Sequence, residues 1–226
     1  CQELRKHKNT TKTKRIAIGL TFSLDYCYRT LKPDNSNTGK LIADIRDSLE
    51  IPKYGYTTGI IMLYKLNNRI NLETGLKFSN KGYKTKKTDL TWSQPDPSQP
   101  IKNTSIHSYQ YLDIPLKVNY IIINSKLKLF LSAGVSANIF LTYKQTSIQE
   151  FSDGRTEKHT SGSIYNNFSK VNFALLAGLG IDYDLNNKIR FRLEPIYRRS
   201  ITSIINAPIK GYLYSFGINT GIYYKL

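Results

Sequence analysis

The stretch RIAIGLTFSLDYCYRT, Arg15 to Thr30, alternates two kinds of residue with almost no error. Ile16, Ile18, Leu20, Phe22, Leu24, Tyr26 and Tyr28 make one row, and Ala17, Gly19, Thr21, Ser23, Asp25, Cys27 and Arg29 make the other. A period of two is that of a β-strand. The bulky apolar row and the small or polar row are the wrong way round for a soluble sheet, whose interior must be filled by large side chains. They suit a strand with lipid outside and a small or polar lumen inside.

The same alternation recurs along the chain. A second strand is expected from about Tyr54 to Leu66, with Tyr56, Thr58, Ile60, Met62, Tyr64 and Leu66 facing lipid. A third, from about Ile70 to Lys81, turns Leu72, Leu76 and Phe78 outward and Glu73, Lys77 and Ser79 inward. A fourth, about Ser108 to Ile122, sets Leu112, Ile114, Leu116 and Val118 against Asp113, Pro115, Lys117 and Asn119. Pro115 removes a ladder donor and suggests an edge or bulge. Four more strands follow, at about 126–143, 169–185, 189–199 and from Gly211 to the end. The sixth opposes Asp182 to its apolar row, and the seventh sends Arg190, Arg192, Glu194 and Arg198 inward.

Short turns are expected after Leu66, around Asn124–Ser125 and in LNNKI, which echoes LNNRI. Asn is favoured there because a tight hairpin uses positive φ. Long connections are expected at about 31–53, 82–107 and 144–168, with a shorter one before Gly211. In the first, Leu41, Ile42, Ile45 and Leu49 fall on one side at helical spacing, with Pro52 as a stop. This reads as a packed loop helix or a short lid.

About eight strands, short turns on one side and long loops on the other describe an all-β transmembrane up-and-down antiparallel barrel. Its expected topology has short periplasmic turns, long extracellular loops and both termini in the periplasm. Residues 2–14, QELRKHKNTTKTK, read as a basic tail ahead of a barrel at 15–226, and a Cys at position 1 reads as a lipidation site. No stretch approaches the roughly 18 uninterrupted apolar residues of a membrane-spanning helix. Many of the 17 tyrosines fall near expected strand ends, as aromatic girdles do.

The net charge of +17 is spread over the tail, the inward rows and the loops rather than one helix or one aromatic sheet face. That distribution argues against nucleic acid. Outer-membrane lipid, lipopolysaccharide phosphates and acidic envelope proteins are the expected partners.

Four stretches together resemble the PorT-like outer-membrane β-barrels of Bacteroidota: NLETGLKFSNKGYK from Asn71, YLDIPLKVNY from Tyr111, LSAGVSANIFL from Leu131 and FGINTGIYYKL from Phe216. The resemblance spans about Arg15 to Leu226. It implies a small non-enzymatic barrel, in some members part of protein-secretion machinery.

Eight strands enclose a lumen just wide enough for side chains. The inward rows supply Asp25, Arg29, Glu73, Lys77, Asp113, Lys117, Asp182, Arg190, Arg192 and Glu194. Buried charges must pair, so these residues are expected to form an ion-pair network that closes the lumen. Catalysis would need Ser, His and a carboxylate in one constellation. Only His7, His107 and His159 exist; His107 adjoins Ser108, and Ser161 lies two residues from His159. The expectation is therefore no catalytic site, no cofactor and no metal. The role this implies is an accessory subunit of an envelope complex in type IX secretion, outer-membrane protein assembly or nutrient uptake. A lipid A deacylase or phospholipase is the alternative, and a soluble lipocalin-like binder is disfavoured by the outward apolar rows.

Overall fold

The computed structural model describes residues 15–33, 36–94, 96–163 and 167–226. The basic tail, Cys1 and His7 lie outside them. In chain order the elements are β1 (Ile16–Lys32), α1 (Asn37–Leu49), β2 (Glu50–Lys65), β3 (Ile70–Thr85), β4 (Thr88–Asp89), β5 (Pro100–Ile123), β6 (Leu127–Phe151), β7 (Thr156–Ser163), β8 (Val171–Asp184), β9 (Ile189–Ser200) and β10 (Lys210–Lys225). Eight of the strands pair in the order β5-β3-β2-β1-β10-β9-β8-β6, and a β5–β6 ladder closes the ring. The first and last strands meet in an unbroken antiparallel ladder from Ala17↔Lys225 to Lys32↔Lys210. Closure removes the sheet edges that would otherwise template aggregation.

Alternation fixes this register. On β1 every second residue from Ala17 to Arg29 is buried, while Leu20, Phe22, Leu24 and Tyr26 are exposed. A slip of one residue would turn Asp25 and Arg29 into lipid and the leucines into the lumen, so one register is strongly preferred.

Three short turns, at 66–69, 124–126 and 185–188, lie at the end where β1 begins and β10 ends; there Leu226 N donates to Ile16 O at 2.9 Å and Lys225 N to Lys188 O at 2.7 Å. The echoing turns use asparagine, though not through positive φ: among the described residues only Gly82 and Gly154 have it. Instead the side chain closes the turn. Asn67 Oδ1 accepts from Arg69 N and Ile70 N, both at 2.8 Å, and Asn186 Oδ1 accepts from Lys188 N at 2.8 Å and Ile189 N at 2.7 Å.

The opposite end differs from the sequence expectation. β5 and β6 are 24 and 25 residues long, far more than the roughly 9–11 that cross a bilayer. Their outer halves leave the apolar belt and pair with each other, while β7 pairs along β6 and β4 along β5. The expected loops at 82–107 and 144–168 are thus largely a projecting sheet. Most of its Thr, Ser and Gln residues are half-buried, and cross-strand pairing satisfies the backbone there.

Pro115 lies mid-strand in β5, paired with Ser136, and not at an edge. The β3–β5 ladder skips a step beside it, between Thr74↔Leu116 and Lys77↔Asp113. Pro52 does not stop the helix. α1 ends at Leu49, and Pro52 lies inside β2 beside a register shift. The apolar side expected to pack is exposed at Leu41, Ile42, Ile45 and Leu49, and the buried residues of α1 are Gly39 and Ala43.

Candidate functional site: the barrel lumen

The inward rows stack charged side chains in tiers from the short-turn end upward. At the bottom, Asp184 pairs with Lys128, with Arg190 Nε at 2.9 Å and with Lys225 Nζ at 2.8 Å. Above it, Arg192 grips Asp182 through two bonds, Nε to Oδ1 at 2.7 Å and Nη2 to Oδ2 at 2.9 Å. Its third nitrogen, Nη1, reaches Glu73 Oε2 at 2.6 Å. The guanidinium lies over Phe130 at 4.2 Å and Tyr223 at 5.1 Å from the ring centroids. Such a planar fork can bridge two carboxylates and stack on aromatics at once, which a lysine cannot do.

The next tier centres on Lys117, which is fully buried. Its Nζ lies 3.0 Å from Glu73 Oε1 and 2.8 and 2.9 Å from the two oxygens of Glu194. Ser132 Oγ at 2.6 Å and Asn219 Nδ2 at 3.1 Å complete Glu194, and Asn119 Nδ2 donates to Glu73 at 3.1 Å. Register assembles the pairs: Glu73 lies directly across from Lys117, and Asp182 from Arg192.

Higher still, Arg198 Nη1 meets Asp25 Oδ1 at 2.5 Å, with Ser23 and Thr57 hydroxyls on the same carboxylate. Gly217 faces Asp25 across the β1–β10 ladder, and a Cβ there would run into Asp25 Oδ1. Lys81 Nζ pairs with Asp113 Oδ2 at 2.8 Å. Between these tiers is a cavity of about 20 Å³, lined by Lys77, Lys81, Asp113, Lys117, Ser136 and Arg198 among others, with room for one water-sized molecule. Lys77 is buried there, and no carboxylate among the described residues pairs with it.

Aromatic side chains close the long-loop end. Tyr83, Tyr109, Tyr111, Tyr143, Ile204 and Leu213 form a buried cluster, with Phe140 and Phe168 packed against it. The Arg29 guanidinium lies 4.1 Å from the Tyr83 ring centroid and pairs with Glu50. The tyrosines are therefore divided. Tyr26, Tyr54, Tyr120 and Tyr224 stand on the lipid side, while Tyr83, Tyr109, Tyr111 and Tyr143 plug the lumen.

Of the ten charged residues read from the sequence, Glu73, Lys117, Asp182, Arg190, Arg192 and Glu194 join one continuous network. Asp25, Arg29 and Asp113 pair elsewhere, and Lys77 pairs with none of them. The partners Glu50, Lys81 and Arg198 were not among the ten. Arg198 already falls in the inward row of the seventh expected strand, and Lys81 shares the parity of Lys77 and Ser79, whereas Glu50 was hidden by its reading as the end of a helix.

Among the described residues, neither His107 nor His159 is hydrogen-bonded to a serine. His107 Nδ1 lies 2.6 Å from Tyr143 Oη, with its ring stacked on Tyr83 at 4.5 Å. It stands five residues beyond Leu112, where the outward apolar row of β5 begins. Burial, together with the Arg29 and Lys53 charges, pushes its pKa down to about 4. His159 sits exposed on β7 beside Glu157 at 3.3 Å. Among the described residues no group of three His, Cys, Asp or Glu could hold a metal ion.

No curated protein matches this chain. Solved structures similar in fold include Neisserial surface protein A at 13% identity, covering 93% of this chain and 97% of that one, with a TM-score of 0.49. OprG from Pseudomonas aeruginosa aligns at 14% identity over 93% and 94%, TM-score 0.46. The outer membrane protein AlkL aligns at 14% over 100% and 98%, TM-score 0.44. The family whose model describes an outer membrane protein beta-barrel domain matches residues 2–206. With a closed eight-stranded barrel, apolar outside and charged within, the chain belongs to this outer-membrane β-barrel family, and its place is the bacterial outer membrane.

Proposed function

We propose that the chain is a non-enzymatic integral barrel that serves as an accessory or structural subunit of an envelope protein complex. The observation that carries the reading is the filled lumen: among the described residues, tiers of paired charges and an aromatic plug pack around a cavity of about 20 Å³. A barrel without a passage acts through its surfaces. The long-loop end offers one, in the sheet built by β4, β5, β6 and β7 beyond the apolar belt.

Type IX secretion, outer-membrane protein assembly and nutrient uptake are the candidate machines, the first suggested by the PorT-like sequence pattern and the Bacteroidota origin it implies. In this reading the short turns face the periplasm, and basic side chains meet lipopolysaccharide and phospholipid phosphates. A lipid-modifying enzyme would need a free histidine beside a nucleophile, whereas His107 is stacked and hydrogen-bonded within the plug.

The test is a mild-detergent pull-down of the tagged protein from outer membranes, with mass spectrometry of what co-purifies. Stoichiometric recovery of secretion, assembly or uptake components supports the reading. Recovery of the barrel alone, or a lipid profile altered by His107→Ala, overturns it.

A further inference from the structure

α1 divides its circumference three ways. At about 100° per residue, with Gly39 set at zero, Gly39, Ala43 and Asp47 cover roughly 0–80° of the helix. Gly39 and Ala43 are buried, and Asp47 Oδ1 accepts from Tyr28 Oη at 3.1 Å, so this side rests against the barrel. Lys40, Asp44 and Ser48 follow at roughly 100–180°, all exposed and all polar. Leu41, Ile45, Leu49 and Ile42 fill roughly 200–300°, and they too are exposed. No described residue covers them.

Three faces about a third of a turn apart fit a helix with three surroundings: protein beside it, water above it and something apolar below. Position identifies the third. Tyr28, which holds the helix, belongs to the outward row of β1, directly above Tyr26. Tyr26 and Tyr54 pack with tilted rings, centroids 5.5 Å apart, on the outer wall, and Leu49 leads straight into β2, whose outward row carries Tyr54, Tyr56 and Ile60. The exposed face of α1 is thus continuous with the apolar belt of the barrel at its aromatic rim. Arg46, at about 340°, borders that face, where a long cationic side chain reaches lipid phosphates while its stem stays in the apolar layer.

We propose that α1 is an interfacial helix that lies on the bilayer against the barrel wall, with Leu41, Ile42, Ile45 and Leu49 inserted among lipid chains at the long-loop end. The occupant of the apolar face is lipid, in the manner of amphipathic helices at headgroup depth. It widens the membrane footprint of the barrel on the β1–β2 side. It also holds the start of β2, and with it the Arg29–Glu50 pair under the aromatic plug, at a fixed depth.

Three consecutive positions sample the three faces. Ala43→Cys, Asp44→Cys and Ile45→Cys, each spin-labelled in a chain with Cys1→Ser and Cys27→Ser, are reconstituted in phosphatidylcholine vesicles containing phosphatidylglycerol. Accessibility is read to oxygen, which concentrates in lipid, and to a nickel chelate, which stays in water. The expected result is a several-fold higher oxygen-to-nickel ratio at position 45 than at 44, with little access of either reagent at 43. Equal ratios at 44 and 45 put the apolar face in water and overturn the proposal. Shielding of 45 from both reagents also overturns it, because protein then covers the face. Because Cys27→Ser alters a buried side chain, a second measurement leaves the cysteines alone: Ile45→Trp with Trp92→Phe, the chain having a single tryptophan. Quenching by brominated acyl chains but not by acrylamide supports the lipid contact, and the reverse overturns it.

Discussion

Replacing Lys117 by methionine removes the cation that holds two buried carboxylates together. In the parent, Nζ lies within 3.0 Å of Glu73 and 2.9 Å of both Glu194 oxygens, and all three side chains are inaccessible to solvent. After Lys117→Met, Glu73 keeps Arg192 at 2.6 Å, but Glu194 keeps only neutral donors, Ser132 and Asn219. A buried charge stripped of its partner costs about 3–5 kcal/mol. At about 1–3 kcal/mol per molar urea, the unfolding midpoint should fall by roughly 2 M. The assay is urea unfolding in lipid vesicles, followed by the gel-mobility difference between folded and unfolded barrel. Lys117→Met with Glu194→Gln removes the orphaned charge too and should recover more than half of the loss. A single variant within roughly 0.3 M of the parent would refute the reasoning, since the network would then contribute nothing.

Three further outcomes follow from the same geometry. Lys77 is buried, and no carboxylate among the described residues pairs with it, so Lys77→Met should stabilise the barrel by about 1 kcal/mol or more; a lowered urea midpoint would count against it. His107 has a folded pKa of about 4, below the ordinary 6.5, so the unfolded chain binds the extra proton. Stability should therefore fall as pH drops from about 6.5 towards 4, by on the order of 2 kcal/mol after discount for partial exposure, and His107→Gln should flatten that part of the pH profile. Gly217→Ala puts a Cβ against Asp25 Oδ1 and 2.7 Å from Ser23 Oγ, whereas Gly162→Ala meets nothing within 4 Å. The first should lose about 2 kcal/mol or more and the second almost nothing, read by heat-modifiable gel mobility.

How much of this was legible in the sequence depends on what each feature requires of a residue. The barrel demands only alternation, and IAIGLTFSLDYC states it in one line. Parity also tells which side chains share the lumen. It does not tell which of them meet, because lysine and arginine reach along a strand as well as across it. Lys77 lies directly opposite Asp113 in the ladder, yet Asp113 pairs with Lys81, four residues further along β3. The outer halves of β5 and β6 escaped notice because their mostly polar, half-buried residues show no alternation of apolar and polar types. Residues such as Thr104, Ser105, Thr146 and Ser147 read as loop and fold as sheet. Tyrosine misled in the opposite direction. Tyr109, Tyr111 and Tyr143 share their type with the lipid-side girdle, and only their inward parity marks them as the plug. The helix was visible from its spacing, but an apolar stripe says the same thing whether a core or a bilayer receives it.

The central claim is that the lumen is closed, so the protein works through its surfaces. Planar-bilayer recording on the purified barrel tests this most directly, with a membrane containing a known open porin as the control. The expected result is a flat trace, with no discrete conductance steps above the bare membrane at either polarity in molar salt. Reproducible steps of defined size, altered by Lys117→Met or Tyr109→Ala, would show an open pathway through the charged tiers and contradict the account.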